Sequence, residues 1–211
     1  AKAARNAELN VIFKTYSLGI STNRDSVVYD FNKTRLQIRV KQFIDDYNAE
    51  VFHWIREGRP EDIDNFVRYD RIKWSRNLKR DLRNEHYAQF TTNAIRQSIY
   101  RPFTIKYLYY ADMLNDERGT TGTFFPATFS EINNKVICLT DLGSEKPFMA
   151  LASSVLPDLH LVGAGAGTEC FPYYTYAEDG SNRRENITDW ALAQFQAKYG
   201  PDVTKWDIFH Y

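Results

Sequence analysis

Seven cations, Arg68, Arg71, Lys73, Arg76, Lys79, Arg80 and Arg83, crowd the run RYDRIKWSRNLKRDLR against two carboxylates, Asp70 and Asp81. The whole chain, by contrast, balances 27 Lys and Arg against 27 Asp and Glu. A local excess inside a neutral chain points to an anionic partner. With Ser75 as N-cap, a helix running to about Glu85 places Arg76, Lys79, Arg80 and Arg83 at i, i+3, i+4 and i+7 on one face. Leu78 and Leu82 then fall on the opposite face. Such a helix can dock through its leucines and offer its cations, with Lys73 just before it, to phosphates. The same pattern describes a solvated face beside a core stripe.

Two further segments carry groups suited to an anionic polymer. The loop GISTNRDS supplies hydroxyls at Ser21 and Thr22, an amide at Asn23, a guanidinium at Arg24 and a carboxylate at Asp25. That inventory suits phosphates and base edges. It equally suits a tight turn closed by Asx-type hydrogen bonds from Asn23 and Asp25. In SYRPFTIKYLYYAD, aromatics stand beside Arg101 and Lys106 in what reads as a hairpin, and they either stack bases or pack a sheet core. Arg101 precedes Pro102, which holds it in extended geometry and fixes the aim of its guanidinium.

Other chemistries lack a constellation. His53, His86, His160 and His210 are scattered, no Ser or Cys has a nucleophile-elbow or protease-like setting, and Cys138 and Cys170 lie far apart with no CxxC. The sequence therefore offers no catalytic residue and no metal ligand set. Asp45 and Asp46 sit on a predicted helix as its solvated face. Gly163–Gly167 imitates part of a dinucleotide fingerprint, but TECFPYY after it cannot open a helix, and a hairpin connection fits better.

The elements that must position these groups follow from periodicity. Val11–Ser17 and Ser26–Phe31 read as strands flanking the GISTNRD loop. Leu36, Val40, Phe43, Tyr47, Val51 and Trp54 predict a long amphipathic helix from about Lys33 to Glu57, stopped at Gly58 and Pro60. A short helix from Pro60–Asp62 through Val67 leads to the basic helix. From Thr92 the texture turns to strands, at Ile99–Phe103, Ile105–Tyr110, Val136–Leu139, Phe148–Leu151, His160–Val162 and Glu169–Tyr176. Helix returns over Asn186–Tyr199, capped by Thr188 and stopped by Gly200–Pro201. The expectation is an α+β fold, with a mixed or antiparallel sheet, a long N-terminal amphipathic helix, a basic helix and C-terminal helices. Residues 1–211 are expected to form one domain with a helical part over 1–91 and a β-rich part over 92–211.

At 211 residues and 43% hydrophobic content the chain can bury a real core. No apolar run approaches the roughly 18 residues of a membrane span, the start AKAARNAELN has no signal pattern, and a reducing cytoplasm fits the cysteines. Both ends read as cut. There is no initiating Met, and DVTKWDIFHY reads as a helix start with Thr204 as N-cap, Asp207 at N3, and Val203 and Ile208 as staple. A fragment of a longer protein is expected, in which the continued helix buries Ile208 and Phe209 against a partner.

Taken in order, IFKTYSLGISTNRDSVVYDF, WSRNLKRDL, YRPF followed by YLYY, PDLH, CFPYYTY, NITDWALAQF and TKWDIFHY resemble the C-terminal part of Type ISP restriction-modification enzymes. The resemblance spans nearly the whole chain. These enzymes join a nuclease, a helicase-like ATPase, an N6-adenine methyltransferase and a target recognition domain in one polypeptide, and this chain looks like that last domain. The resemblance implies a prokaryotic, cytoplasmic protein of phage defence that recognises specific double-stranded DNA sites for methylation and restriction. It implies no catalysis by this chain itself. The partners it implies are duplex DNA and the methyltransferase domain of the same polypeptide. No NPPY-type motif and no Walker A lysine motif occurs, so S-adenosylmethionine, ATP and Mg are expected in other domains. The candidate DNA-binding residues are Thr22, Asn23, Arg24, Asp25, Lys73, Arg76, Lys79, Arg80, Arg83 and Arg101. An RNA-binding or protein-docking module using the aromatic hairpin is the alternative, and a freestanding hydrolase lacks a nucleophile and base.

Overall fold

The computed structural model describes residues 10–126, 133–163 and 165–211, so the AKAARNAEL start and Ala164 of the glycine segment lie outside the described residues. In chain order the elements are β1 (Ser17–Leu18), α1 (Asp25–Val28), β2 (Tyr29–Asp30), α2 (Lys33–Arg56), α3 (Ile63–Phe66) and α4 (Arg76–Arg83). There follow β3 (Ile95–Arg101), β4 (Thr104–Tyr109), α5 (Thr121–Phe124), β5 (Val136–Thr140), β6 (Ala150–Ser153) and β7 (Leu156–Pro157). The chain closes with β8 (Thr168–Pro172), β9 (Tyr174–Thr175), β10 (Arg184–Glu185), α6 (Asp189–Tyr199) and α7 (Lys205–His210). The fold is α+β.

Two compact units divide these elements. One comprises residues 21–98 and 105–117, the other residues 10–20, 99–104 and 118–211 of the described chain. The sequence suggests a divide near residue 91, where strand texture begins. The helical unit instead recruits the start of β3 and most of β4, because β4 pairs antiparallel with β2, Tyr29 facing Leu108 and Asp30 facing Tyr107.

The helical unit is organised by α2. Leu36, Val40, Phe43, Ile44, Tyr47, Val51 and Trp54 recur at three and four residues and are all buried, each contributing on the order of 1.5 to 3 kcal/mol by leaving water. Asn32 caps the helix by accepting from the Arg35 N–H, and Gly58 at φ 76° follows its end, a backbone region where glycine carries no Cβ penalty. The strand expected over Ser26–Phe31 shrinks to Tyr29–Asp30 because Asp25–Val28 winds into a helical turn against α2.

Asp30 fixes that junction. Its carboxylate accepts from the Asn32 N–H at 2.8 Å, Arg35 at 2.9 Å and Arg39 at 2.9 Å. The Asn32 amide first, then the Arg35 and Arg39 guanidinia, hold its pKa down at about 2 against burial, from an ordinary 3.8. A depressed folded-state pKa means the stability is fully present above about pH 4 and is lost as pH falls towards 2. Asp30→Asn should therefore unfold at lower urea than the wild type near pH 6, with the two midpoints converging by about pH 2. A gap that stays constant with pH would rule out the ionised carboxylate as the source.

The second unit holds an antiparallel sheet ordered β1-β8-β5-β6. Every residue of β8 is buried, since it lies inside the sheet. Cys138 and Cys170, distant in sequence, face each other across β5 and β8 with their sulfurs 3.9 Å apart and both thiols free. Val11–Ser17 does not form the expected strand. Its backbone is held mainly by the buried Asn186 side chain, which donates to the Thr15 and Pro172 carbonyls and accepts from the Thr15 N–H, and by a bridge between Phe13 and Ile187. Residues His160–Val162, also expected as a strand, form a turn after Asp158, whose carboxylate accepts the His160 N–H. The Gly163–Gly167 segment joins β7 to β8, strands of different sheets, so it is not a hairpin connection.

The helix signals at the C-terminal end hold. Thr188 caps α6, and Thr204 with Asp207 forms a complete capping box on α7. Ile208 and Phe209, expected to await a partner, are already buried in a cluster with Tyr173, Ile187 and Ala191, against which Val203, Leu192 and Phe195 pack. The expectation failed because Tyr173 and Ile187 reach the helix from far along the chain. Among the described residues no helix is long and apolar enough to cross a membrane.

Candidate nucleic-acid interface

Helix α4 forms where the cap and the stripe predict it. The Ser75 hydroxyl accepts from the Leu78 N–H, and Leu78 and Leu82 are fully buried. The opposite face is not uniform in its cations. Arg76, Arg80 and Arg83 are exposed, as is Lys73 just before the helix. Arg80 keeps 64% of its side-chain surface while lying 3.7 Å from Asp81, too long for a hydrogen bond. Lys79 is different. Its ammonium is hydrogen-bonded to Asp64 and lies over the Tyr69 ring at 5.5 Å, and Asp64 first, then Tyr69, raises its pKa. The three guanidinia therefore face solvent, Arg80 in a loose ion pair with Asp81, and Lys79 would have to leave Asp64 to meet a phosphate.

The GISTNRD loop turns out to be built around its own groups. Thr22 is buried, its hydroxyl donating to Asp25 and accepting the Arg24 N–H at 3.2 Å. Asn23 takes φ 53°, a left-handed conformation that Asn tolerates better than most residues. Arg24, proposed from sequence as a phosphate contact, has no exposed surface. Its guanidinium donates to the Leu114 carbonyl at 2.9 Å and to the Ser75 hydroxyl at 2.7 Å, and meets the Asp116 carboxylate at 3.3 Å. Burial pushes its pKa below the usual value, and Asp116 opposes that shift. With a wholly buried guanidinium, Arg24 acts here as an internal tie, and the Thr22 hydroxyl holds a turn whose closing bonds were expected from Asn23 and Asp25.

Nothing in the residues around Asp116 singles it out. Its carboxylate accepts from Arg24, from the Ser75 hydroxyl at 2.5 Å and from the Asn23 amide at 2.6 Å, while its backbone carbonyl accepts from Asn77 at 2.6 Å. One side chain thus links the loop to the N-terminal end of α4. Of the loop residues, Asn23 remains exposed. The signal could not be local, since Asp116 lies 92 residues from Arg24.

Arg101 belongs to the other unit. It is half-buried, donates to Asp158 at 2.7 Å and stacks over the Tyr100 ring at 4.0 Å. The aromatics of the hairpin divide between the two roles considered for them. Tyr109 is core, its hydroxyl donating to the Gln89 carbonyl and accepting the Thr91 N–H, whereas Phe103 at the turn is 89% exposed. Among the described residues no group of three His, Cys, Asp or Glu side chains is arranged to hold a metal ion.

The family described as the Type ISP C-terminal specificity domain matches residues 11–211. No curated protein matches the chain in sequence. Among solved structures, one of a DrdV–DNA complex shares 33% identity and superposes with a TM-score of 0.83, over 100% of this chain and 20% of that one. A nuclease-deletion mutant of the Type ISP restriction-modification enzyme LlaGI, in complex with a DNA substrate mimic, shares 32% identity at a TM-score of 0.78, over 89% of this chain and 18% of that one. The DNA-bound Type ISP enzyme LlaBIII has the same fold at 24% identity and a TM-score of 0.79, with this chain covering 13% of its length.

Proposed function

Because the chain belongs to the family of Type ISP C-terminal specificity domains, we propose that it recognises a specific sequence of double-stranded DNA on behalf of a larger restriction-modification polypeptide. The observation that carries this reading is the face of α4. Arg76, Arg80 and Arg83 are exposed on a helix whose other face is buried, and that helix is tied through Asp116 to the loop bearing Asn23. Guanidinia in that arrangement suit phosphate oxygens, which fix register without reading sequence. Lys73 extends the same stretch. Arg101, held by Asp158, is a weaker candidate for a direct contact because its charge is already met. Thr22, Arg24 and Asp25 support the site from inside.

The chain spans a fifth or less of the three relatives' lengths. We place the N6-adenine methylation, the ATP-driven restriction, and the binding of S-adenosylmethionine, ATP and Mg in domains beyond these residues. A methyltransferase must draw its adenine out of the stack, and a neighbouring domain that grips and reads the flanking duplex gives that extrusion its address. A cytoplasmic prokaryotic setting follows from that role.

Selection from a pool of randomised duplexes is expected to return one enriched sequence bound by this chain. Its affinity for that duplex should exceed its affinity for single-stranded RNA of the same sequence, and titration with S-adenosylmethionine should give no heat. Enrichment of no sequence, or preference for the RNA, would sink the proposal.

A further inference from the structure

The β3–β4 hairpin turns on two residues, Pro102 and Phe103. Phe103 takes φ 61°, and a turn with proline first and positive φ second is one in which glycine or asparagine is the fitting second residue. A bulky aromatic there is strained. Phe103 is also 89% exposed, more than any other large hydrophobic side chain among the described residues. Folding thus gains nothing visible from this ring, and the backbone is penalised for presenting it.

The base beneath the ring is firmly held. Arg101 donates to the Asp158 carboxylate and to the Tyr100 carbonyl, and stacks over the Tyr100 ring. Asp158 in turn donates its N–H to the Ile99 carbonyl. The hairpin itself carries no carboxylate, although Asp158 meets Arg101 beneath it. From His86 to Ala111 the chain carries no Asp or Glu, while Arg96, Arg101 and Lys106 fall within that stretch. A flat apolar ring at the tip of a tethered hairpin that carries no acidic residue of its own fits a stacked, polyanionic partner better than the mixed polar rim of a protein interface.

Building on the target-recognition reading, we propose that Phe103 is a wedge that enters a base-pair step of the bound duplex and partly unstacks it. The contact is apolar, so it adds affinity that does not depend on salt, unlike the phosphate contacts of α4. It also makes an easily unstacked step part of the preferred site, a preference read as deformability and not through hydrogen bonds to bases.

The test uses the duplex enriched by selection, with 2-aminopurine placed at successive positions. The wild type should raise the fluorescence of the probe at one step. Phe103→Asn, which suits positive φ, should abolish that rise and weaken binding roughly ten- to a hundredfold, the range set by base–aromatic stacking. Its salt slope should be unchanged and its melting temperature equal or higher. Phe103→Trp should keep the fluorescence signal. Wild-type affinity and an unchanged 2-aminopurine signal in Phe103→Asn would overturn the wedge while leaving target recognition standing, and would assign the tip to a protein partner. Failure of the wild type to bind any duplex would overturn both.

Discussion

Replacing Arg76, Arg80 and Arg83 together by Ala is expected to lower the salt slope of duplex binding by roughly 0.9 per residue and to weaken binding about a hundredfold at 0.15 M salt. The three guanidinia are exposed, so thermal stability should move within about 0.5 kcal/mol. The selected sequence should survive, because phosphate contacts carry no base information. Lys79→Ala should add less than its neighbours, since Lys79 is already engaged by Asp64. Leu78→Ala on the buried face should do the reverse, with stability falling by about 2 to 5 kcal/mol. Filter binding or fluorescence anisotropy across a salt series measures the first effect. An unchanged slope in the triple variant would reduce this face to solvated surface.

Asp116→Ala is expected to be the most damaging single change in the helical unit. It removes the acceptor of Arg24, Ser75 and Asn23 at once. The Arg24 guanidinium would be left wholly buried, with a charge unmatched at that position and an Nε that already lacks a hydrogen-bond partner. Breaking a buried pair from one side costs about 3 to 5 kcal/mol. Removing both partners should cost less, so Arg24→Leu combined with Asp116→Ala is expected to recover part of the loss. Urea denaturation reads both results. A loss under about 1 kcal/mol for Asp116→Ala would mean that the loop and α4 are positioned by something else.

The legible parts of this chain were those written in local pattern. The α2 stripe, the Ser75 cap with Leu78 and Leu82, the Thr188 cap and the Thr204–Asp207 box all depend on neighbours three or four residues apart, and each appears where the spacing puts it. The faces of α4 were legible for the same reason. What the sequence hid was set by distant partners. Arg24 reads as a surface cation until Asp116 and Leu114 are seen to enclose it, and Lys79 reads like its neighbours until Asp64 arrives from α3. Cys138 and Cys170 look unrelated until the β5–β8 register sets them opposite. Residues 11–17 have strand composition, yet Asn186 and Ile187 meet most of this run in place of a ladder strand.

The division of the chain also orders its birth on the ribosome. The helical unit is drawn from residues 21–98 and 105–117, so all its parts have been made once Glu117 emerges. The other unit must wait, because its first residues close on its last third: Ser17 pairs with Cys170, and the Thr188 hydroxyl donates to the Val11 carbonyl across 177 residues. At typical synthesis rates that interval is on the order of ten seconds. Throughout it Phe13 and Ile20 lack the surfaces that later cover them. The sticky interval therefore belongs to the segment of this domain that is made first, which stays open to chaperones until its partners from residues 158–188 have been made.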